Sequence, residues 1–255
     1  MWNADQYTKF SVHRDRPFFD LMARVGHENP ANIADLGCGT GHLTASLLER
    51  WPEAHVLGVD SSKEMLEEAV KHAVPGRLEF IEADLRAWQP STKFDVILTN
   101  AALQWVPDHE TMIPRLAQMV ADGGWLAVQM PANFDAPSHT LIREVNALEP
   151  FRAYTAKLEP RTQQSLKWYI TALSSLCFDV DAWTTEYQQI LHGENPVLEW
   201  VKGTALRPVL NALPPDMYDS FLSEYGVRLL EAYPAQRFGT LLPFKRVFFV
   251  AQRAL

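Results

Sequence analysis

The run Asp35-Leu36-Gly37-Cys38-Gly39-Thr40-Gly41 follows a short apolar segment, Ile33-Ala34-Asp35-Leu36, and opens a helical stretch, His42 to Glu49. Three glycines at alternate positions make a turn in which no Cβ keeps a ligand away from the backbone. The first amides of the following helix present partial positive charge to that ligand. A buried strand feeding such a turn and then a helix points to an α/β architecture with a nucleotide-like cofactor at the turn.

The chain from Ala31 to Met130 supports that architecture. Leu43, Leu47 and Leu48 mark one face of the first helix, and Val56-Leu57-Gly58-Val59 forms a second strand ending at Asp60. Ser61 is expected to cap the next helix, with Glu64 three positions on. Met65, Leu66, Ala69 and Val70 give that helix its apolar side. Leu78 to Ile81 and Val96 to Thr99 read as third and fourth strands, ending near Asp84 and at Asn100. A helix around Met112 to Val120 then leads through Gly123-Gly124 into a fifth strand, Trp125 to Met130. Alternation of this kind predicts a doubly wound, mostly parallel Rossmann-like sheet. Ligands of such sheets bind beyond the carboxyl ends of the strands, where the glycine turn, Asp60, Asp84 and Asn100 all fall.

The C-terminal half reads differently. Residues 136–175 and 196–235 are predicted helical, and they separate the long strand Phe178 to Leu191 from a last strand, Arg246 to Gln252. The expected division is residues 1–135 as N-terminal helices plus the cofactor-binding core. Residues 136–255 are then a helical cap with the last strands of the sheet.

A formal net charge of −8 argues against a protein built to grip nucleic acid. With only Cys38 and Cys177, one of them inside the turn, reduced thiols are the simpler reading. The first residues carry Asp5, Lys9 and Arg14 without an unbroken apolar stretch, and no apolar run approaches the ~20 residues of a membrane span. A soluble cytoplasmic protein that needs no membrane is expected; the sequence does not set its oligomeric state.

The spacing of the glycines narrows the cofactor. A dinucleotide fingerprint needs Gly-x-Gly-x-x-Gly, yet the last position here is His42, and the third glycine falls at 41. No Gly-Lys-Ser/Thr follows, so the phosphate-binding P-loop is excluded as well. Asp-x-Gly-x-Gly-x-Gly after a first strand resembles the signature of class I S-adenosylmethionine-dependent methyltransferases. That resemblance implies that Asp35 serves the ammonium end of the cofactor, Asp60 both ribose hydroxyls and Asp84 the adenine amino group. It places Gly37, Gly39, Gly41, Ser61, Met65, Leu85 and Asn100 around the cofactor, with Arg16 on its carboxylate.

After the fourth strand comes Asn100-Ala101-Ala102-Leu103, without the Pro-Pro-aromatic sequence of amino-group methylases. Other segments resemble the trans-aconitate 2-methyltransferases: Arg14-Asp15-Arg16-Pro17, Gln104-Trp105-Val106-Pro107-Asp108-His109, Val128-Gln129-Met130-Pro131 with Asn133, Trp200-Val201 with Gly203, Leu206-Arg207-Pro208, and Pro243-Phe244 with Arg246. They span nearly the whole chain, and the region from Phe151 to Ser165 departs from the family. The resemblance implies monomethyl esterification of trans-aconitate or a similar small polycarboxylic acid. A carboxylate with a reference pKa near ~4 needs no general base, so positioning is the expected mechanism, with no catalytic residue and no metal. Arginine forks suit the remaining carboxylates. Arg207 and Arg246 are the candidates, with His139, Gln104, Trp105, Tyr7 and Tyr169 as further substrate-binding residues. The rivals are a methyltransferase of another small acid, a noncatalytic S-adenosylmethionine-binding protein and, against His42, an NAD-dependent dehydrogenase.

Overall fold

The computed structural model describes residues 11–158 and 163–255, with side chains from His13 onward. The described residues fall into two compact units. One comprises residues 14–131, 163–185 and 246–255, and the other residues 132–158 and 186–245 together with residues 11–13.

The first unit is the sheet unit. Its strands are β1 (Asn32–Leu36), β2 (His55–Asp60), β3 (Leu78–Glu82), β4 (Phe94–Asn100) and β5 (Val120–Pro131). Two further strands contribute to both units: β6 (Phe178–Leu191) and β8 (Gly239–Arg253), the latter paired with the short β7 (Ala235–Gln236). The order is β3-β2-β1-β4-β5-β8-β6. Pairing from β3 to β5 is parallel, and β8 runs antiparallel to β5. The mostly parallel α/β sheet expected from the alternation is therefore present. β1 and β4 are buried almost throughout, as strands covered on both faces must be. The Asp95 carboxylate accepts the Ala31 and Asn32 amides at 2.8 and 2.9 Å, fixing where β1 begins.

Helices α1 (Ser11–Met22), α2 (His42–Arg50), α3 (Lys63–Ala69) and α4 (His109–Met119) join these strands. Two details differ from expectation. Ser62, not Ser61, caps α3, because the Asp60 carboxylate draws the Ser62 amide back at 2.8 Å and the helix starts one residue later. β5 starts at Val120, and Ala121–Gly124 are looped out between the Phe94–Val120 and Val96–Trp125 pairs, a turn that Gly123 makes at φ +74°.

The second unit holds α5 (Pro137–Asn146), α6 (Arg152–Thr155), α8 (Pro196–Lys202), α9 (Arg207–Ala212) and α10 (Tyr218–Ala232). Its core includes Phe151, Trp200, Leu206, Phe221, Tyr225 and Phe244, so the segment that departs from the family supplies a packing residue. The Tyr225 hydroxyl donates to the Ser138 carbonyl at 2.6 Å, and the Ser138 amide donates to the Tyr233 hydroxyl at 3.0 Å. The intervening helix α7 (Leu166–Ser174), expected in the cap, belongs to the sheet unit instead. The reason is packing: its Tyr169 stacks on Phe249 of β8 with ring centres 4.8 Å apart. Among the described residues no helix is long and apolar enough to cross a membrane.

Candidate functional site

Strands β2 and β3 lie on one side of β1, and β4 and β5 on the other, so the chain changes direction between β1 and β4. Open α/β sheets bind ligands at that switch point. Here the loops after β1 and β4 approach closely: a Cβ on Gly37 would stand 2.2 Å from that of Ala102. A Cβ on Gly41 would strike Phe80 and Ala69. Gly39 differs, because a Cβ there would meet none of the described residues within 4 Å. All three adopt positive φ. Two glycines thus allow the turn to pack, and the third leaves its outer surface open.

Carboxylates surround that turn. Asp60 accepts the Gly39 amide at 2.9 Å with one oxygen and the Ser62 amide with the other. Asp35 is buried and accepts the Thr44 hydroxyl at 2.6 Å. Burial pushes its carboxyl up to about 7; the Thr44 hydrogen bond opposes the rise and the nearby Asp60 charge adds to it. The Cys38 thiol is also pushed up, by burial first and then by the charges of Asp35 and Asp60. A turn with an open outer surface beside repelling carboxylates fits a cationic ligand. S-adenosylmethionine, with its ammonium and sulfonium groups, is such a ligand. Met65 and Leu85 lie half-buried and buried on the segments after β2 and β3, and Ser61 is exposed. Asp84 is engaged by Arg86, whose Nε lies 2.9 and 3.0 Å from its two oxygens. These hydrogen bonds hold the carboxyl down at about 2, so an adenine amino group would reach it as an additional donor.

Arg16 stands at the surface 3.7 Å from Asp20, with 69% of its side chain exposed. The buried arginine of that segment is Arg14, two residues away and therefore on the opposite face of α1. The segment still reaches the glycine turn, because Asp15 accepts His42 Nε2 at 3.0 Å. Tyr7 lies outside the described residues.

The loop after β4 is strained. Ala101 takes φ +55°, a left-handed conformation that costs about 1 kcal/mol or more for an L-residue. Its amide donates to the Gln129 carbonyl at 2.9 Å, and its carbonyl accepts Gln104 Nε2 at 2.6 Å. Two buried acceptors of this loop, Asn100 Oδ1 and Gln104 Oε1, have no hydrogen-bond partner among the described residues. Asn100 is in register with Gln129 of β5, and Pro131 with Arg246 of β8. Asn100, Gln129 and Arg246 therefore share one face of the sheet. Arg246 is 4% exposed, and its Nη1 donates to Gln129 Oε1 at 3.1 Å. Gln129 had no sequence signal as a site residue beyond its place in a resembling segment.

Tyr169 is fully buried. Phe249, against which it packs, is adjacent to Phe248, the partner of Gln129, and so faces the other side of the sheet. Its hydroxyl hydrogen-bonds His109 Nδ1 and accepts the Gln164 amide, while His109 Nε2 meets the Leu103 carbonyl. Tyr169→Phe is expected to cost about 1–2 kcal/mol of stability by orphaning these groups, lowering Tm by several degrees. Substrate KM should stay within about twofold; a tenfold rise would return Tyr169 to the binding site. Trp105 is 46% exposed on its 3₁₀ turn. His139 and Arg207 belong to the second unit: His139 lies edge-on to Phe134, and Arg207 opens α9, an end where the helix dipole disfavours a cation.

A model of the methyltransferase domain matches residues 33–124. A trans-aconitate 2-methyltransferase of Streptomyces avermitilis is 45% identical over 267 residues, covering 99% of this chain and 97% of that protein. One from Rhodococcus jostii is 45% identical over 262 residues, covering 99% of each. The solved structure of a Haemonchus contortus phosphoethanolamine N-methyltransferase with S-adenosylhomocysteine bears on the fold alone. It superposes with a TM-score of 0.56 at 16% identity, over 94% of this chain and 53% of that one. The chain belongs to the trans-aconitate 2-methyltransferase family, within the class I S-adenosylmethionine-dependent methyltransferases.

Proposed function

We propose that this protein transfers the methyl group of S-adenosylmethionine to one carboxylate of trans-aconitate, forming a monomethyl ester. The observation that carries the acceptor class is Arg246, a buried guanidinium in the middle of β8, paired with Pro131 at the end of β5 and on the same sheet face as Asn100 and Gln129. A buried arginine fork suits a carboxylate, and full-length relatives at 45% identity carry the trans-aconitate name.

The glycine turn and Asp60 hold the cofactor, and Asp35 offers its charge to the ammonium end. When bound there, S-adenosylmethionine would supply an electrophilic methyl group for a carboxylate oxygen, with its sulfur as the neutral thioether leaving group. Such a transfer moves no proton, so no general base is required of the chain. What the chain contributes is alignment of two charged reactants in line. Asn100 Oδ1 and Gln104 Oε1 are acceptors and unsuited to an ionised carboxylate; they suit the cofactor's donors or a polarised methyl group.

The test is turnover with a panel of small acids, reading S-adenosylhomocysteine and the mass and regiochemistry of the ester. Trans-aconitate is expected to give the highest kcat/KM. Preference for a monocarboxylic acid would overturn the polyacid assignment, and absence of any product would overturn the enzyme itself.

A further inference from the structure

Gln129 carries a donor that no described residue uses. Its side chain is fully buried on β5, and Nε2 has no hydrogen-bond partner among the described residues, although Oε1 accepts from Arg246 Nη1. That single contact fixes the amide. A guanidinium has only donors, so the oxygen of the glutamine must face it and the NH₂ group must face away. A residue able to present either end is thereby converted into an obligate donor. A buried NH₂ left unpaired is costly, and the neighbouring strand does not relieve it, since Asn100 Oδ1, in register beside it, is also unpaired.

We propose that Gln129 is a specificity-determining ligand of the substrate, donating from Nε2 to an ionised carboxylate that is not the one methylated. This rests on the reading of the protein as a polycarboxylate methyltransferase and assigns one of the acid's arms to Gln129. A carboxylate is an acceptor at every lone pair, so it meets the locked donor without penalty, and the charge strengthens the hydrogen bond. Arg246 has two roles here: it offers positive charge, and it orients the amide that selects the arm.

The experiment compares wild type with Gln129→Met, which keeps the volume and deletes the donor, and Gln129→Asn, which keeps the amide on a shorter stem. Tricarboxylate binding to the S-adenosylhomocysteine-loaded protein is measured by calorimetry. kcat/KM is measured for trans-aconitate and for dicarboxylates lacking one arm. Gln129→Met is expected to weaken tricarboxylate binding about 10- to 100-fold and to leave S-adenosylmethionine affinity within about twofold. Its preference for the tricarboxylate over the dicarboxylate missing the contacted arm should collapse toward one, whereas preferences over the other dicarboxylates persist. Unchanged tricarboxylate affinity, or a uniform loss for every acid, would overturn the role of Gln129. Failure of wild type to methylate or bind any acid would instead overturn the functional reading beneath it. Unaltered cofactor affinity in both variants guards against misfolding as the cause.

Discussion

Arg246→Ala is expected to raise KM for trans-aconitate by about 100-fold while leaving S-adenosylmethionine affinity within about twofold. The size follows from removing one partner of a desolvated charge-assisted pair, typically about 2–5 kcal/mol. The split follows from position. Arg246 belongs to β8 beyond β5, and the cofactor loops follow β1, β2 and β4 on the other side. Stability should fall as well, because Gln129 Oε1 loses its donor in a fully buried place. Arg246→Lys separates the effects: it returns the charge without the planar fork, so it should recover only part of the lost affinity. Equal losses of cofactor and acid binding in Arg246→Ala would show a folding defect, and unchanged KM would remove Arg246 from the substrate.

The uneven legibility of the sequence has physical causes. Strand ends were legible because burial on both faces demands continuous apolar runs, and Asp60 and Asn100 interrupt them where the strands stop. β6 is legible as one long strand from Phe178 to Leu191, although its alternation changes phase at the half-buried pair Ala182-Trp183. That Arg14 is buried and Arg16 exposed depends on which way α1 faces, and charges alone do not reveal it. The burial of Tyr169 is not legible, because an aromatic with a hydroxyl looks the same in sequence whether it serves a ligand or His109. Gln129 was passed over for a related reason. A lone glutamine in an apolar strand becomes informative only when its partner across β8 is seen to be a donor-only arginine.

Cofactor binding is expected to be linked to protons through Asp35, with a sign that reverses near neutrality. Burial raises this carboxyl to about 7, so at pH 6 it is mostly protonated in the free protein. If it meets the cofactor's ammonium group as a carboxylate, binding at pH 6 must release about 0.9 proton. Affinity should then weaken up to about tenfold per unit as pH falls below 7. At pH 8 Asp35 is already ionised, and an α-amino group with a pKa near ~8 must instead gain a proton, so net uptake is expected. Calorimetry in buffers of different ionisation enthalpy reads both numbers directly. The same shift has a stability consequence of opposite direction. An acid whose folded pKa exceeds its unfolded one binds protons more tightly when folded, so stability is lost as pH rises from about 4 to 7. By pH 8 the loss amounts to about 4 kcal/mol in the ligand-free protein. Asp35→Asn is therefore expected to raise the melting temperature of the free protein at pH 8, to abolish proton release at pH 6, and to weaken cofactor binding at pH 7.5 by at least about tenfold. A variant that binds S-adenosylmethionine as tightly as wild type, with unchanged proton release, would place the ammonium elsewhere. On the proposed reading, the buried carboxylate is a stability cost that the incoming cation offsets.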